Sequence, residues 1–158
     1  MAVEVDAARA DRLEKTARRL GADGVQVVRA DGRALPAELD GFDRALVDAP
    51  CSGLGVLASR PDLRWRAEPL PELQRELLRA AVERVHVGGT VVYSTCTISA
   101  AENEAVVDEL IATGAAHIDP GLGEDWPAFR HPTRPEFLQT LPHVHRTSGF
   151  FVARLVVS

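Results

Sequence analysis

The residues of this chain best suited to chemistry are two cysteines and a set of acids. Cys51 lies in Asp48-Ala49-Pro50-Cys51-Ser52-Gly53 and Cys96 in Ser94-Thr95-Cys96-Thr97; the chain has no other cysteine. Each follows an apolar, strand-like run by one to three residues. A free cysteine most commonly ends as a small buried hydrophobe, and a disulfide between the two is a further reading. Two thiols without a closely spaced histidine are too few ligands for a metal. The surroundings favour thiolate chemistry. Pro50 fixes its own φ, and Gly53 and Gly55 permit a tight backbone path, so the loop aims Cys51 in one direction. A cysteine beside a carboxylate at a strand end is a setting for nucleophilic catalysis.

The elements that must hold these residues alternate. A helix is predicted over 7–20, with Ala10, Leu13, Ala17 and Leu20 at helical spacing and Gly21 as its stop. A second is predicted over 71–87, with Leu73, Leu77, Leu78 and Val85 facing a core and Gly88-Gly89 breaking it, and a third over 102–111. Apolar strands are predicted over 25–28, 42–47, 90–94 and 150–157, and Ala2-Val3-Glu4 reads as the end of another. Residues 119–148, rich in Pro, Gly and His, read as irregular. Alternating strands and helices predict an α/β fold with a mainly parallel sheet. Open sheets of that class bind ligands beyond the carboxyl ends of their strands. Glu4, Asp31, Asp48 and Cys96 all fall there, although an acid in such a place also serves as a helix cap or turn residue.

The chain of 158 residues fits one domain. With 18 Lys+Arg against 23 Asp+Glu its net charge is -5, which excludes a globally basic nucleic-acid binder and confines RNA contact to local patches. No apolar run reaches membrane-spanning length and no stretch resembles a signal peptide, so a reducing cytoplasm is the expected location. Two basic stretches stand out. In 59–66, Arg60, Arg64 and Arg66 could contact phosphates and Trp65 could stack on a base, or the loop is simply solvated with Trp65 on the core. In 130–146, Arg130, His131, Arg134, His143, His145 and Arg146 suit a solvated surface or phosphate contact. The acids of Glu102-Asn103-Glu104 suit the positive end of a helix dipole, a sufficient structural reason for them.

Residues 43–65, DRALVDAPCSGLGVLASRPDLRW, and 88–107, GGTVVYSTCTISAAENEAVV, resemble the two signature motifs of RNA cytosine-5 methyltransferases of the Sun (Nol1/Nop2/Sun) family, most closely its bacterial small-subunit ribosomal RNA type B branch. The acid-ended AVE at 2–4, ADGR at 30–33, the QRELL helix at 74–78 and the closing GFFVARL at 149–155 match as well. The resemblance implies a Rossmann-like fold of the class I S-adenosylmethionine-dependent methyltransferases. It implies Cys96 as the nucleophile that adds to carbon 6 of cytosine, Cys51 as the residue that assists product release, and Asp48 as the acid that recognises the cytosine and lies near the cofactor. The implied cofactor is S-adenosyl-L-methionine, with Glu4 on its ribose hydroxyls, Asp6 as the fallback, and Asp31 on its adenine amino group. The implied partner is RNA, ribosomal above all, met by Arg60, Arg64 and Trp65, with no metal and no membrane.

The chain departs from the family in lacking the central strand and the Gly-rich Pro-Gly-Gly-Lys loop that precede the acid-ended strand. The expectation is an N-terminally truncated, incomplete catalytic domain over 1–158 that binds the cofactor weakly and folds poorly alone, with a separate N-terminal fragment as a possible partner. Two alternatives stand beside this reading. In a DNA cytosine-5 methyltransferase the Pro-Cys cysteine attacks, and Cys96 would have no counterpart. The other is a non-catalytic RNA- or protein-interaction fragment.

Overall fold

A computed structural model describes all 158 residues. They form two compact units, 1–39 and 40–158. In the first, β1 (Ala2–Glu4) runs parallel to β2 (Val27–Arg29), pairing Ala2 with Val27 and Glu4 with Arg29. Helix α1 (Ala7–Arg19) joins them. Asp6 is its N-cap and accepts the Arg9 N–H at 2.8 Å, satisfying one of the otherwise orphaned first-turn donors. Gly21 takes a positive φ of 69° at the helix exit, as its sequence position predicts. Ala10 is the buried residue of α1; Leu13 and Leu20 of the predicted apolar face are exposed.

The second unit is built on a five-stranded sheet. Its strands are β3 (Phe42–Asp48), β4 (Val85–Thr95), β5 (Ala116–Ile118), β6 (Leu138–Thr140) and β7 (Phe150–Val157), in the order β3-β4-β7-β5 with β6 also on β7. β3 and β4 pair in parallel, while β7 is antiparallel to β4, β5 and β6. Strands 3 to 6 therefore run one way and only β7 runs against them, the mainly parallel α/β sheet expected. Alternation along β4 and β7 buries Val91, Tyr93 and Thr95 on one and Phe151, Ala153, Leu155 and Val157 on the other. Helices α3 (Pro71–Glu83) and α4 (Glu104–Ala112) add Leu78, Val82, Val106, Val107 and Leu110 to this core. Phe151 is its hub, with Tyr93 and Phe137 edge-on at ring-centroid distances of 6.4 and 5.2 Å.

Three expectations need correction. The helix predicted to reach Val87 ends at Glu83, and Val85 already pairs with Phe42 in β4. Gly88-Gly89 sits inside that strand, where Gly88 takes a φ of 80° and the register with β3 shifts between Phe42 and Arg44. The third helix starts at Glu104, leaving Glu102 and Asn103 in the turn before it. Residues 119–148 are not wholly irregular: they hold α5 (Gly121–Asp125), a 3₁₀ turn (Pro127–Phe129), β6 and α6 (Pro142–His145). No helix is long and apolar enough to cross a membrane.

Candidate active site

Asp48 is the last residue of β3 and Cys96 follows the last residue of β4. Parallel pairing of Asp48 with Ser94 brings the two strand ends level. Asp48 accepts the Ser94 hydroxyl at 3.2 Å, and the Ala49 N–H donates to the Ser94 carbonyl at 3.0 Å. The Cys51 loop therefore leaves β3 already tied to the strand that carries Cys96. Gly55, in a 3₁₀ turn over Leu54–Val56, donates its N–H to the Cys96 carbonyl at 3.0 Å. The result is a Cys51 Sγ to Cys96 Sγ distance of 3.4 Å, with both thiols free and half-buried.

Cys51 sits where a thiolate is disfavoured. Burial, and then the neighbouring Cys96, push its thiol from 9.0 up to about 12. At neutral pH it keeps its proton. We expect alkylation of Cys51 by iodoacetamide to rise about tenfold per pH unit from about pH 8 to about pH 11, because only the thiolate reacts. Peptide mapping by mass spectrometry reads the rate, and a plateau near the ordinary thiol value contradicts the placement.

Behind the two loops lies a buried polar network. Glu102 is wholly buried and accepts the N–H groups of Ser52 (3.0 Å) and Leu70 (3.2 Å) and Gln74 Nε2 (3.0 Å) on Oε1. The Ser52 hydroxyl donates to its Oε2 and shares a 2.8 Å hydrogen bond with the Thr97 hydroxyl. Gln74 Nε2 also reaches the Pro50 carbonyl at 2.8 Å. Asn103 accepts the Thr95 hydroxyl at 2.6 Å and donates to the Thr97 carbonyl at 3.1 Å, bracketing Cys96. Sequence reasoning gave Glu102 a helix-dipole role. A dipole-facing acid and a buried one look alike in a sequence; the only available signal was its place inside the second cysteine motif.

The remaining site residues fall as follows. Glu4 ends β1; its Oε1 accepts the Asp6 N–H at 2.8 Å and pairs with Arg9 at 3.2 Å. Asp6 is occupied as the helix cap. Asp31 follows β2 by two residues, and the Arg33 guanidinium and N–H hold its carboxyl down at about 2. Glu4 and Asp31 belong to the first unit, and Asp48 and both cysteines to the second. Arg60 pairs with Asp62 at 3.0 Å. Trp65, in α2 (Leu63–Arg66), is 80% exposed with the Arg64 guanidinium 5.7 Å from its ring centroid, so it is not packed on the core. The second basic stretch is largely committed internally. Arg130 donates to the Gly123 carbonyl, Arg134 bridges Asp108 and Glu136, and buried His131 pairs with Glu104 at 2.6 Å. No group of three or more His, Cys, Asp or Glu side chains is placed to hold a metal ion.

The chain is 40% identical over 98% of its length to ribosomal RNA small subunit methyltransferase F of Serratia proteamaculans, covering 34% of that protein. It is 36% identical to the 28S rRNA (cytosine-C(5))-methyltransferase of Mus musculus, with 93% of this chain and 21% of that protein aligned. Among solved structures it matches NSun6 from Pyrococcus horikoshii with SFG at a TM-score of 0.83 and 33% identity, over 99% of this chain and 40% of that one. The chain thus spans about a third or less of the length of these two curated relatives. The model of the 16S rRNA methyltransferase RsmB/F family matches residues 1–156, both cysteine loops included, and the chain belongs to that family.

Proposed function

We propose that this chain carries the catalytic residues of an RNA cytosine-5 methyltransferase acting on small-subunit ribosomal RNA in the cytoplasm, with residues 1–158 forming an incomplete catalytic domain. The observation that carries the reading is the pair of thiols 3.4 Å apart at the carboxyl ends of two parallel strands, with Asp48 closing one of them. Carbon 5 of cytosine is a poor nucleophile. Addition of the Cys96 sulfur to carbon 6, with a proton delivered at the ring nitrogen, turns the base into an enamine whose carbon 5 is nucleophilic. Asp48 suits the polar edge of the base, where it favours that protonation. After carbon 5 is methylated, a base from solvent takes its proton, the freed electron pair restores the C5–C6 double bond, and the carbon–sulfur bond to Cys96 breaks with its electrons leaving on sulfur. Cys51, which keeps its proton, donates it to the departing sulfur. The base must leave its stack to reach such thiols.

S-adenosylmethionine, when bound, supplies the electrophilic methyl group. The carboxylates of the first unit fit its polar groups. Glu4 uses one oxygen for the Asp6 N–H and Arg9, and its other oxygen takes neither bond, which leaves an acceptor for a ribose hydroxyl. Asp31 carries Arg33 on both its oxygens and would accept an amino group by giving up part of that pairing. Arg60, Arg64 and the exposed Trp65 form the surface for RNA, the arginines for phosphate and the indole for a base face. Deletion of the gene in its host should remove a 5-methylcytidine from small-subunit ribosomal RNA, read by bisulfite sequencing. An unchanged methylation pattern overturns the proposal.

A further inference from the structure

We infer that Glu102 is a positioning residue: its buried side chain clamps the Cys51 and Cys96 loops together and so sets the separation of the two sulfurs. The inference rests on the proposed use of both thiols, and thiol chemistry alone tests it.

Four donors from three residues converge on this one carboxyl. Ser52 gives both its N–H and its hydroxyl from the position after Cys51. The Leu70 N–H and Gln74 Nε2 come from the start of α3. No cation pairs with Glu102; every partner is a neutral donor aimed at it. A carboxyl taken out of water is costly unless its lone pairs are satisfied, and here they are. The residue is equally bound to the other loop. Its own carbonyl accepts the Tyr93 hydroxyl at 2.6 Å, which fixes Glu102 against β4. The Ser52 to Thr97 hydroxyl bond extends the clamp to the residue after Cys96. Gln74 is also wholly buried and its Oε1 has no partner, so Nε2 alone ties the amide to Glu102 and to the Pro50 carbonyl. Both neighbours of Cys51 thus hang on one network, and Thr97 beside Cys96 hangs on it as well.

Removal of the carboxyl in Glu102→Ala takes the acceptor from the Ser52 and Leu70 N–H groups and from Gln74 Nε2 and leaves the Ser52 hydroxyl only Thr97, and the Cys51 turn relaxes to reach water. In Glu102→Gln the amide oxygen can keep the three bonds of Oε1. Its N–H can donate to Ser52 Oγ, whose proton turns to Thr97 Oγ1. Geometry is retained without the charge. The readout is disulfide formation between Cys51 and Cys96 by diamide, a diazene. The two thiols each lose a hydrogen, the S–S bond forms, and the N=N bond is reduced to a hydrazine. Alkylation of each thiol is measured in parallel.

In the full chain, Glu102→Ala should slow disulfide formation about tenfold or more relative to alkylation, while Glu102→Gln stays within about threefold of the parent, as expected when buried donors lose or keep an acceptor. Should Glu102→Ala lose its near-ultraviolet circular dichroism, Ser52→Ala, which removes only the hydroxyl and its bonds, decides, with a slowing of about threefold. A folded Glu102→Ala with the parent's rate overturns the inference. So does a Glu102→Gln as slow as Glu102→Ala, an unslowed Ser52→Ala in that case, equal slowing of alkylation, or a parent chain that does not cross-link. Absence of methyl transfer in the parent bears on the reaction and leaves this outcome untouched.

Discussion

On the proposed reaction, Cys96→Ala in the full-length protein should abolish methyl transfer, by on the order of 10⁴-fold or more as for loss of a covalent nucleophile, and should form no protein–RNA adduct. Cys51→Ala should do the opposite at the adduct: the RNA stays attached, visible as a slow-migrating species on a denaturing gel that ribonuclease collapses. The asymmetry follows from positions that look nearly symmetric. At 3.4 Å apart the two sulfurs can face the same ring carbon, so distance alone does not choose between them. The motifs do: Cys96 stands in Ser94-Thr95-Cys96-Thr97, the stretch whose cysteine the resemblance makes the nucleophile, and Cys51 follows Pro50 in the other. Cys51 keeps its proton at neutral pH and so has one to give. Without that proton Cys96 can still add to the base but departs slowly, and the intermediate accumulates. Adduct in Cys96→Ala with none in Cys51→Ala would reverse the roles and point to the Pro-Cys chemistry of DNA cytosine-5 methyltransferases.

How much of this was visible in the sequence depends on the range of the interaction involved. The Cys51 loop and β3 were legible because their signals are local: an apolar run, then Asp48, Pro50 and closely spaced glycines. The same holds for β7, whose eight residues are continuously apolar but for Arg154. Val85 to Val87 misled because a strand that begins directly after a helix continues its apolar residues without a break. Gly88, the supposed stop, lies inside the strand with a positive φ. β5 and β6, three residues each, exist because β7 offers them partners, and nothing in His117 or Gln139 announces that. His131 read as a surface base. It is buried because Glu104 takes its Nε2 while the Thr133 and Arg134 N–H groups donate to its Nδ1. Glu102 was misplaced for the same reason, since its donors lie 28 to 50 residues away in the chain.

Gly55→Ala should be among the most damaging single substitutions in the second unit, at about 2–4 kcal/mol, the scale of overpacking combined with lost buried hydrogen bonds. The reason is space, not φ, since Gly55 is not among the glycines with positive φ. A Cβ there would lie 2.1 Å from the Gly149 carbonyl oxygen and 2.8 Å from that of Cys96. Both are backbone atoms, so no side chain can swing aside. The same residue holds the site together, donating to the Cys96 carbonyl at 3.0 Å and accepting the Gly149 N–H at 2.7 Å. Forcing the segments apart breaks both bonds and moves Cys96 relative to the Cys51 loop. Gly114→Ala is the control: Gly114 has a φ of 76°, and a Cβ added there would meet no atom within 4 Å. It should cost only the left-handed strain, about 1 kcal/mol. Urea unfolding of the two variants side by side separates close approach from backbone strain. Equal losses would mean that the Gly55 to Gly149 contact is slack, and the cysteine geometry that depends on it would lose its support.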